Sequence, residues 1–360
     1  MAGMLNFTVG PVMSCQEVLD IANISAPYFR TPEFSGMMLQ NERLMLKFLN
    51  APDNSRCVFL TASGTGAMES CVANILDNND KVIVINGGSF GYRFVKLCEI
   101  YGYNMDEIKC EFGRQIKKEQ LDRFAGRGYT ALLVNMNETS SGVLYNMSLI
   151  SRFCKENNIL LIIDAISSFI TDEIDMAGLG AAAVITGSQK ALAVQPGIAA
   201  VALAPSAVIR IENNKEKCMY LSLKSALKDM ERGQTPFTPA VTTLIQINKR
   251  LTTIEENGGI KAERGRIAEL TCYFREKIRD YPFKLVAEDK SNAVTALHPV
   301  TCGAEKIIRI LKDEYNIWAC PNGGGFADEV FRIGHIGHIT KENYDTLFSA
   351  FDDMKRQGVI

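Results

Sequence analysis

An α/β fold is predicted for this chain: a large domain built on a mostly parallel, helix-covered sheet, followed by a small C-terminal α+β domain. Three observations predict it. Short aliphatic runs of strand length recur between residues 57 and 204, and most are separated by segments of helical pattern. That alternation is the mark of a parallel sheet with helices on its faces. The runs end in glycines or small polar residues, as expected where ligands gather at strand C-terminal ends. After residue 283 the style changes to closely spaced short strands with two helices. The boundaries read from this are an extended N-terminal segment over 1–20, the large domain over 21–245 and the small domain over 246–360.

Composition narrows the function classes. The chain has 360 residues, of which 47% are hydrophobic and 22% charged, with a formal net charge of -2. Such a balance offers no basic surface for nucleic acid. No apolar run approaches the ~20 residues a membrane helix needs, and no basic-then-apolar signal layout opens the chain. The ten cysteines are scattered, with no C-x-x-C pair. They read as reduced, largely buried thiols of a cytoplasmic protein.

The elements follow in order. Asn6-Phe7-Thr8-Val9-Gly10-Pro11 is extended and closes on a Gly-Pro turn. Arg30 lies in Tyr28-Phe29-Arg30-Thr31-Pro32-Glu33-Phe34, ahead of a helical pattern carrying Leu39, Leu44 and Phe48. It is either a plain surface charge or a cation facing an anionic substrate. Cys57 to Thr61 is a strand, Ala62-Ser63-Gly64-Thr65-Gly66 a glycine turn, and Ala67 to Leu76 a helix. Strand, glycine turn and helix aim backbone N–H groups at an anion, or else the glycines serve tight packing.

Lys81 to Ile85 is the next strand, and Phe90 sits among the glycines after it. Phe90 is either core or a ring platform for a planar ligand. Thr130 to Val134 leads into the polar loop Asn135 to Gly142, which carries Thr139. Ile159 to Ile163 ends in Asp164. A carboxylate there is costly without a partner, so it is an N-cap, a salt-bridge member or a group aimed at a cationic ring nitrogen. Ala182 to Gly187 is followed by Ser188-Gln189-Lys190. Lys190 is either a surface lysine in a strand–helix turn or an amine whose desolvation favours the neutral, nucleophilic form that makes Schiff bases. Ile198 to Ala204 closes the series. Residues 205–240 are less regular and include Thr238 between two prolines. Two long helical patterns follow, from Val241 and from Ile260. In the small domain Arg332 lies in an apolar strand, where a planar fork implies an anionic partner such as a carboxylate. Three histidines and no carboxylate or thiolate cluster beside them point to no metal site.

An anion cradle, a ring platform, a carboxylate for a ring nitrogen, a strand-end lysine and an arginine suit pyridoxal 5'-phosphate (PLP). The sequence also resembles the class V aminotransferases of PLP fold type I across nearly its whole length. Gly187-Ser188-Gln189-Lys190-Ala191-Leu192 and Arg30-Thr31-Pro32-Glu33-Phe34 resemble the alanine–glyoxylate and serine–pyruvate branch. Asn137 to Gly142, Asp164 to Phe169 and Phe331 to Gly334 also resemble 2-aminoethylphosphonate–pyruvate aminotransferases.

The resemblance implies that Ser63, Gly64, Thr65 and Gln189 bind the cofactor phosphate. It implies that Phe90 stacks on the ring and that Thr139 lies near the ring's phenolic oxygen or nitrogen edge. Asp164 and Lys190 would be catalytic, with Arg332 and Arg30 binding substrate. Thr238 would reach the phosphate of a neighbouring subunit in a homodimer. The expected reaction moves an amino group from alanine or serine to a 2-oxo acid such as pyruvate or glyoxylate. The alternatives are transfer from 2-aminoethylphosphonate, a lyase of the cysteine desulfurase type, and a non-enzymatic binding protein. Thr65 stands where many relatives carry histidine or another residue, and Phe90 where relatives often carry tryptophan or tyrosine. Gln189, where the lyases typically carry histidine, and the placing of Cys320 in an apolar strand argue against the lyase.

Overall fold

The computed structural model describes residues 3–360. Arg56–Leu60 (β1), Lys81–Asn86 (β2), Asn104–Lys109 (β3), Ala131–Asn135 (β4), Leu160–Asp164 (β5), Ala181–Gly187 (β6) and Ala199–Leu203 (β7) form one sheet. Its seven strands run in the order β1-β7-β6-β5-β4-β2-β3. Every pairing from β6 across to β3 is parallel. The aliphatic residues of β2 and β4, and those of β5 after Leu160, are buried, as a sheet covered on both faces requires.

One strand runs against the sequence-based expectation. β7 lies antiparallel between β1 and β6. The link from Ser188 to Ile198 contains no helix, and a parallel return needs a crossover of a dozen or more residues. β1 therefore points the same way as the parallel strands, and its C-terminal end opens on the same edge.

The principal helices before the end of the sheet are Pro32–Phe48 (α1), Gly64–Ile75 (α2), Gly91–Tyr101 (α3) and Met147–Glu156 (α4). α1 starts where Thr31 accepts a hydrogen bond from the Phe34 N–H at 3.2 Å, with Pro32 in the first turn. Residues 205–240 are more regular than expected, with helices Pro205–Asn213 (α5) and Leu223–Met230 (α6). α6 buries Leu223, Ala226, Leu227 and Met230 on one face, the helical spacing. Val241–Glu256 (α7) and Gly259–Lys277 (α8) follow.

Two main hydrophobic clusters result. The larger surrounds the sheet and includes Leu244, Ile247 and Ile254 of α7 and Ile267 of α8. The second takes over at Leu270 and Phe274 of the same helix. It contains Ala304–Tyr315 (α9), Lys341–Arg356 (α10) and a four-stranded antiparallel sheet. The strands of that sheet are Phe283–Leu285 (β8), Val294–Pro299 (β9), Cys320–Pro321 (β10) and Phe331–Gly334 (β11), in the order β8-β9-β11-β10. The N-terminal segment ties the two units together. Leu5–Asn6 pairs parallel with Ile317–Trp318, and Phe7 is fully buried in the second cluster. Val9 then packs on Val294 and Cys320.

Candidate active site

The C-terminal ends of β1, β2, β4, β5 and β6 face one edge of the sheet, and a cavity of about 300 Å³ opens beside it. Ser63, Gly64, Thr65, Phe90, Thr139, Asp164, Gln189, Lys190 and Arg332 all line it. These residues come from six separate stretches of chain.

Lys190 follows β6 in a tight turn. The Ser188 hydroxyl fastens that turn by donating to the Gln195 carbonyl at 2.7 Å, and the Ile198 N–H reaches it at 3.3 Å. The Lys190 side chain is 8% exposed, and its Nζ donates to the Val9 carbonyl at 2.6 Å. Burial pulls the amine down to about 8. Arg332 and Arg93 push the same way, whereas Cys320 and Asp164 oppose. The amine is thus part neutral near physiological pH. Gly10 makes the approach of the N-terminal segment possible. A Cβ there would lie 2.8 Å from Lys190 Cδ, and its φ of +124° is disfavoured for other residues.

Asp164 is the last residue of β5. Its Oδ1 accepts the Ile166 N–H at 2.8 Å. Burial raises the carboxyl to about 6, Glu138 adds to the rise, and Ile166, Lys190 and Arg93 counter it. A buried carboxylate and a buried amine in one cavity are pushed toward neutrality together, a pattern typical of reaction centres.

Ser63 is the N-cap of α2, yet its side chain makes no capping bond. The first N–H groups of an α-helix lack intrahelical partners, and here they open on the cavity. A Cβ on Gly64 would sit 2.3 Å from Ile166 Cδ1, so any other residue here would push that side chain aside. Phe90 is the N-cap of α3. Thr139 shares a 2.8 Å hydrogen bond with the Ser167 hydroxyl. Arg332 donates from Nη1 to the Thr139 carbonyl at 3.1 Å and from Nη2 to the Pro321 carbonyl, while its buried Nε has no partner.

Two expected residues lie elsewhere. Arg30 stands over the Phe29 ring and donates to Gln234 Oε1 and the Pro236 carbonyl, each at 3.3 Å. Thr238 borders a separate shallow recess with Thr61, Tyr220 and Phe237. Conversely, the cavity holds Val9, Gly10, Arg93, Asn137, Ser167 and Cys320, which sequence reasoning did not assign. The signals for two of them were visible. Arg93 lies one helical turn beyond Phe90, and Gly10 stands in the Gly-Pro turn. Cys320, expected as core, is buried and also lines the cavity, fixed in β10 beside Arg332 of β11.

Behind the cavity Glu138 is fully buried and accepts five hydrogen bonds. Donors are the N–H groups of Phe90 (3.3 Å), Gly91 (2.9 Å) and Ser140 (3.2 Å), Asn135 Nδ2 (2.9 Å) and the Ser140 hydroxyl. It anchors the start of α3, including Phe90. A larger cavity of about 440 Å³ lies between α7, α8 and residues 337–342. Its Arg250 and Arg266 are both paired with Glu263. Among the described residues no group of three or more His, Cys, Asp or Glu side chains is placed to hold a metal. His335 is buried between the Thr295 and Tyr344 hydroxyls, each at 2.7 Å.

The class V aminotransferase family model matches residues 22–320. The chain belongs to that family. Class V aminotransferases depend on PLP, and so does this one. An uncharacterized aminotransferase of Methanocaldococcus jannaschii is 31% identical over 338 residues, covering 91% of this chain and 86% of its own length. A serine–glyoxylate aminotransferase of Arabidopsis thaliana is 25% identical, with 93% and 86% covered. The crystal structure of an aspartate aminotransferase of subgroup IV from Thermus thermophilus superposes with a TM-score of 0.89 at 25% identity, covering 99% of both chains.

The residues present in this aminotransferase fit PLP. The uncapped start of α2 suits a phosphate, the unpaired oxygen of Asp164 suits a protonated ring nitrogen, and the part-neutral Lys190 amine suits an aldehyde.

Proposed function

We propose that this aminotransferase takes the amino group of a small donor, alanine or serine, and delivers it to a 2-oxo acid such as pyruvate or glyoxylate, with Lys190 as the amine at the centre. The observation that carries the proposal is the pairing of a buried, part-neutral Lys190 with a buried Asp164 in one strand-end cavity.

When bound, PLP supplies an aldehyde carbon that stores the amino group and an electron-poor ring that accepts the electron pair released at the donor's Cα. The chain's own residues do the rest. The N–H groups of Ser63, Gly64 and Thr65 would hold the phosphate, with Gln189 beside them. Phe90 would support one ring face, and Thr139 would fix the ring edge. Asp164 would keep a negative charge against the ring nitrogen. Lys190 would anchor the cofactor aldehyde and, as a free amine, would hold and move the proton at the donor's Cα. Arg332, already oriented by two backbone carbonyls, holds the substrate carboxylate with its remaining donors. Val9 and Gly10 cover Lys190 and exclude water. Thr238 and Arg30 lie outside this cavity and close to the same 234–238 segment. In a homodimer they would face the partner, with Thr238 reaching the partner's phosphate.

One observation favours a second reading, transfer from 2-aminoethylphosphonate to pyruvate. That reading needs a further cation in the cavity, and Arg93 is one. A spectroscopic titration separates the readings. Purified protein loaded with PLP is mixed with alanine, serine, aspartate or 2-aminoethylphosphonate, and the visible cofactor band is followed. Rapid bleaching by alanine or serine, with the matching 2-oxo acid formed, is the expected result. Bleaching by 2-aminoethylphosphonate alone would move the second reading to the front. A protein that takes up PLP and responds to none of them would refute both.

A further inference from the structure

Arg93 is a cation of the cavity that transfer from alanine or serine does not use. Its Nη1 donates to the Thr65 hydroxyl at 2.9 Å, and its guanidinium carbon lies 4.6 Å from the Phe90 ring centroid. No carboxylate pairs with it among the described residues. A guanidinium carries five N–H donors in a planar fork, and a hydroxyl acceptor uses one of them. Phe90 stands three residues earlier on the same helix and holds the fork by its ring face. Thr65 belongs to the first turn of α2, the helix with an uncapped start. The free donors of Arg93 and the unmet N–H groups of α2 therefore meet at one end of the cavity.

Charge points the same way. The ionisable groups lining the cavity besides Cys320 are Arg93, Arg332, Lys190 and Asp164, three basic side chains against one carboxyl. Arg332 is tied to two backbone carbonyls, those of Thr139 and Pro321, whereas Arg93 is held by one hydroxyl. A planar carboxylate accepts a fork from one side. A phosphoryl group has three oxygens and accepts a fork, a helix start and a hydroxyl from different directions.

We propose that Arg93, oriented by Thr65 and Phe90, is the phosphoryl-binding cation of the cavity and takes a phosphate or phosphonate dianion beside the start of α2. The inference rests on the strand-end cavity being the active site. Two sources supply that chemistry, the phosphate ester of the cofactor and the phosphonate of an amino donor, and the test distinguishes them.

The full chain, freed of cofactor, is titrated with PLP, with pyridoxal (which lacks the phosphate) and with inorganic phosphate. Unaltered protein is compared with Arg93→Gln and Arg93→Lys, and binding is read by absorbance and calorimetry. If Arg93 meets the cofactor, Arg93→Gln weakens PLP by roughly tenfold to a hundredfold and pyridoxal by less than about twofold. Inorganic phosphate then binds the unaltered chain and not the variant, and Arg93→Lys falls between. If the phosphonate is the source, PLP binding is unchanged, and at saturating PLP the variant loses 2-aminoethylphosphonate turnover selectively over alanine. Equal effects on PLP and pyridoxal, together with equal effects on the two donors, overturn the proposal. Should Arg93→Gln fail to fold, inorganic phosphate competition against PLP in the unaltered chain and the Arg93→Lys titration decide it. Absence of any amino-group transfer by the unaltered protein would refute the proposed function and leave these binding comparisons readable.

Discussion

The loop after β4 and the loop after β5 each bury a carboxylate near the same sheet edge, and the two are treated in opposite ways. Glu138 receives five donors, three of them backbone N–H groups, of which those of Phe90 and Gly91 fix the start of α3. Asp164 receives one, from Ile166, and no donor among the described residues reaches its other oxygen. A saturated carboxylate is part of the scaffold. A carboxylate left short of donors, in a cavity with a lysine, holds capacity for a ligand. The difference teaches that burial alone does not mark a reactive group in this fold. The unspent hydrogen-bonding capacity does.

The largest effect expected from this contrast concerns the amine that Asp164 shares its cavity with. Lys190→Ala should lower transamination by at least about a thousandfold, within the range of acid–base catalysis, with an unchanged far-ultraviolet circular dichroism spectrum. Retained turnover would remove Lys190 from its role.

The carboxylates themselves come next. Asp164→Asn should cut the rate by about a hundredfold or more while leaving the cofactor-free protein as stable as before, or more stable by about 1–3 kcal/mol, because a buried charge is removed. Glu138→Gln should instead cost about 2–4 kcal/mol of stability, since charge-assisted bonds to buried donors are lost. Chemical denaturation of the two variants side by side checks this. A larger stability loss for Asp164→Asn than for Glu138→Gln would break the comparison.

Gly10→Ala should have a smaller effect, about tenfold on turnover, because the new Cβ would crowd Lys190 Cδ at 2.8 Å. Steady-state kinetics would show it, and full activity would mean the N-terminal segment yields freely.

The same two groups set the pH dependence of the cofactor-free protein. Asp164 titrates near 6 when folded against an ordinary 3.8. Its contribution to stability is therefore fully present below about 3.8 and is lost as pH rises through about 6. Lys190 titrates near 8 against an ordinary 10.5. The unfolded chain holds more protons in that window, so stability from this group rises between pH 8 and 10.5. Melting temperatures across pH, with Asp164→Asn and Lys190→Met subtracted in turn, should flatten the lower and the upper limb respectively.

Much of this was legible in the sequence, for a physical reason. Strands buried on both faces must be aliphatic, so β2, β4, β5 and β6 stand out, and whatever polar residue follows them is conspicuous. Asp164 and Lys190 were found that way. β3 was not, because an edge strand such as Asn104–Lys109 is largely exposed and carries no apolar run. α5 and α6 were hidden by the charged stretch from Glu212 to Lys217 that separates them. The antiparallel course of β7 depends on what the 188–198 link does, which periodicity does not report. Arg93 stands one helical turn beyond Phe90 in the sequence, but only the fold sets its guanidinium over that ring. Glu138 sits in a polar loop whose hydrogen-bond traffic exists only after β4 and α3 have come together.

The most direct test of the central claim is chemical trapping. PLP-loaded protein is reduced with borohydride, digested and mapped by mass. One labelled site is expected, Lys190, with loss of that label in Lys190→Ala. A label on any other lysine, or a stable label in Lys190→Ala, would contradict it.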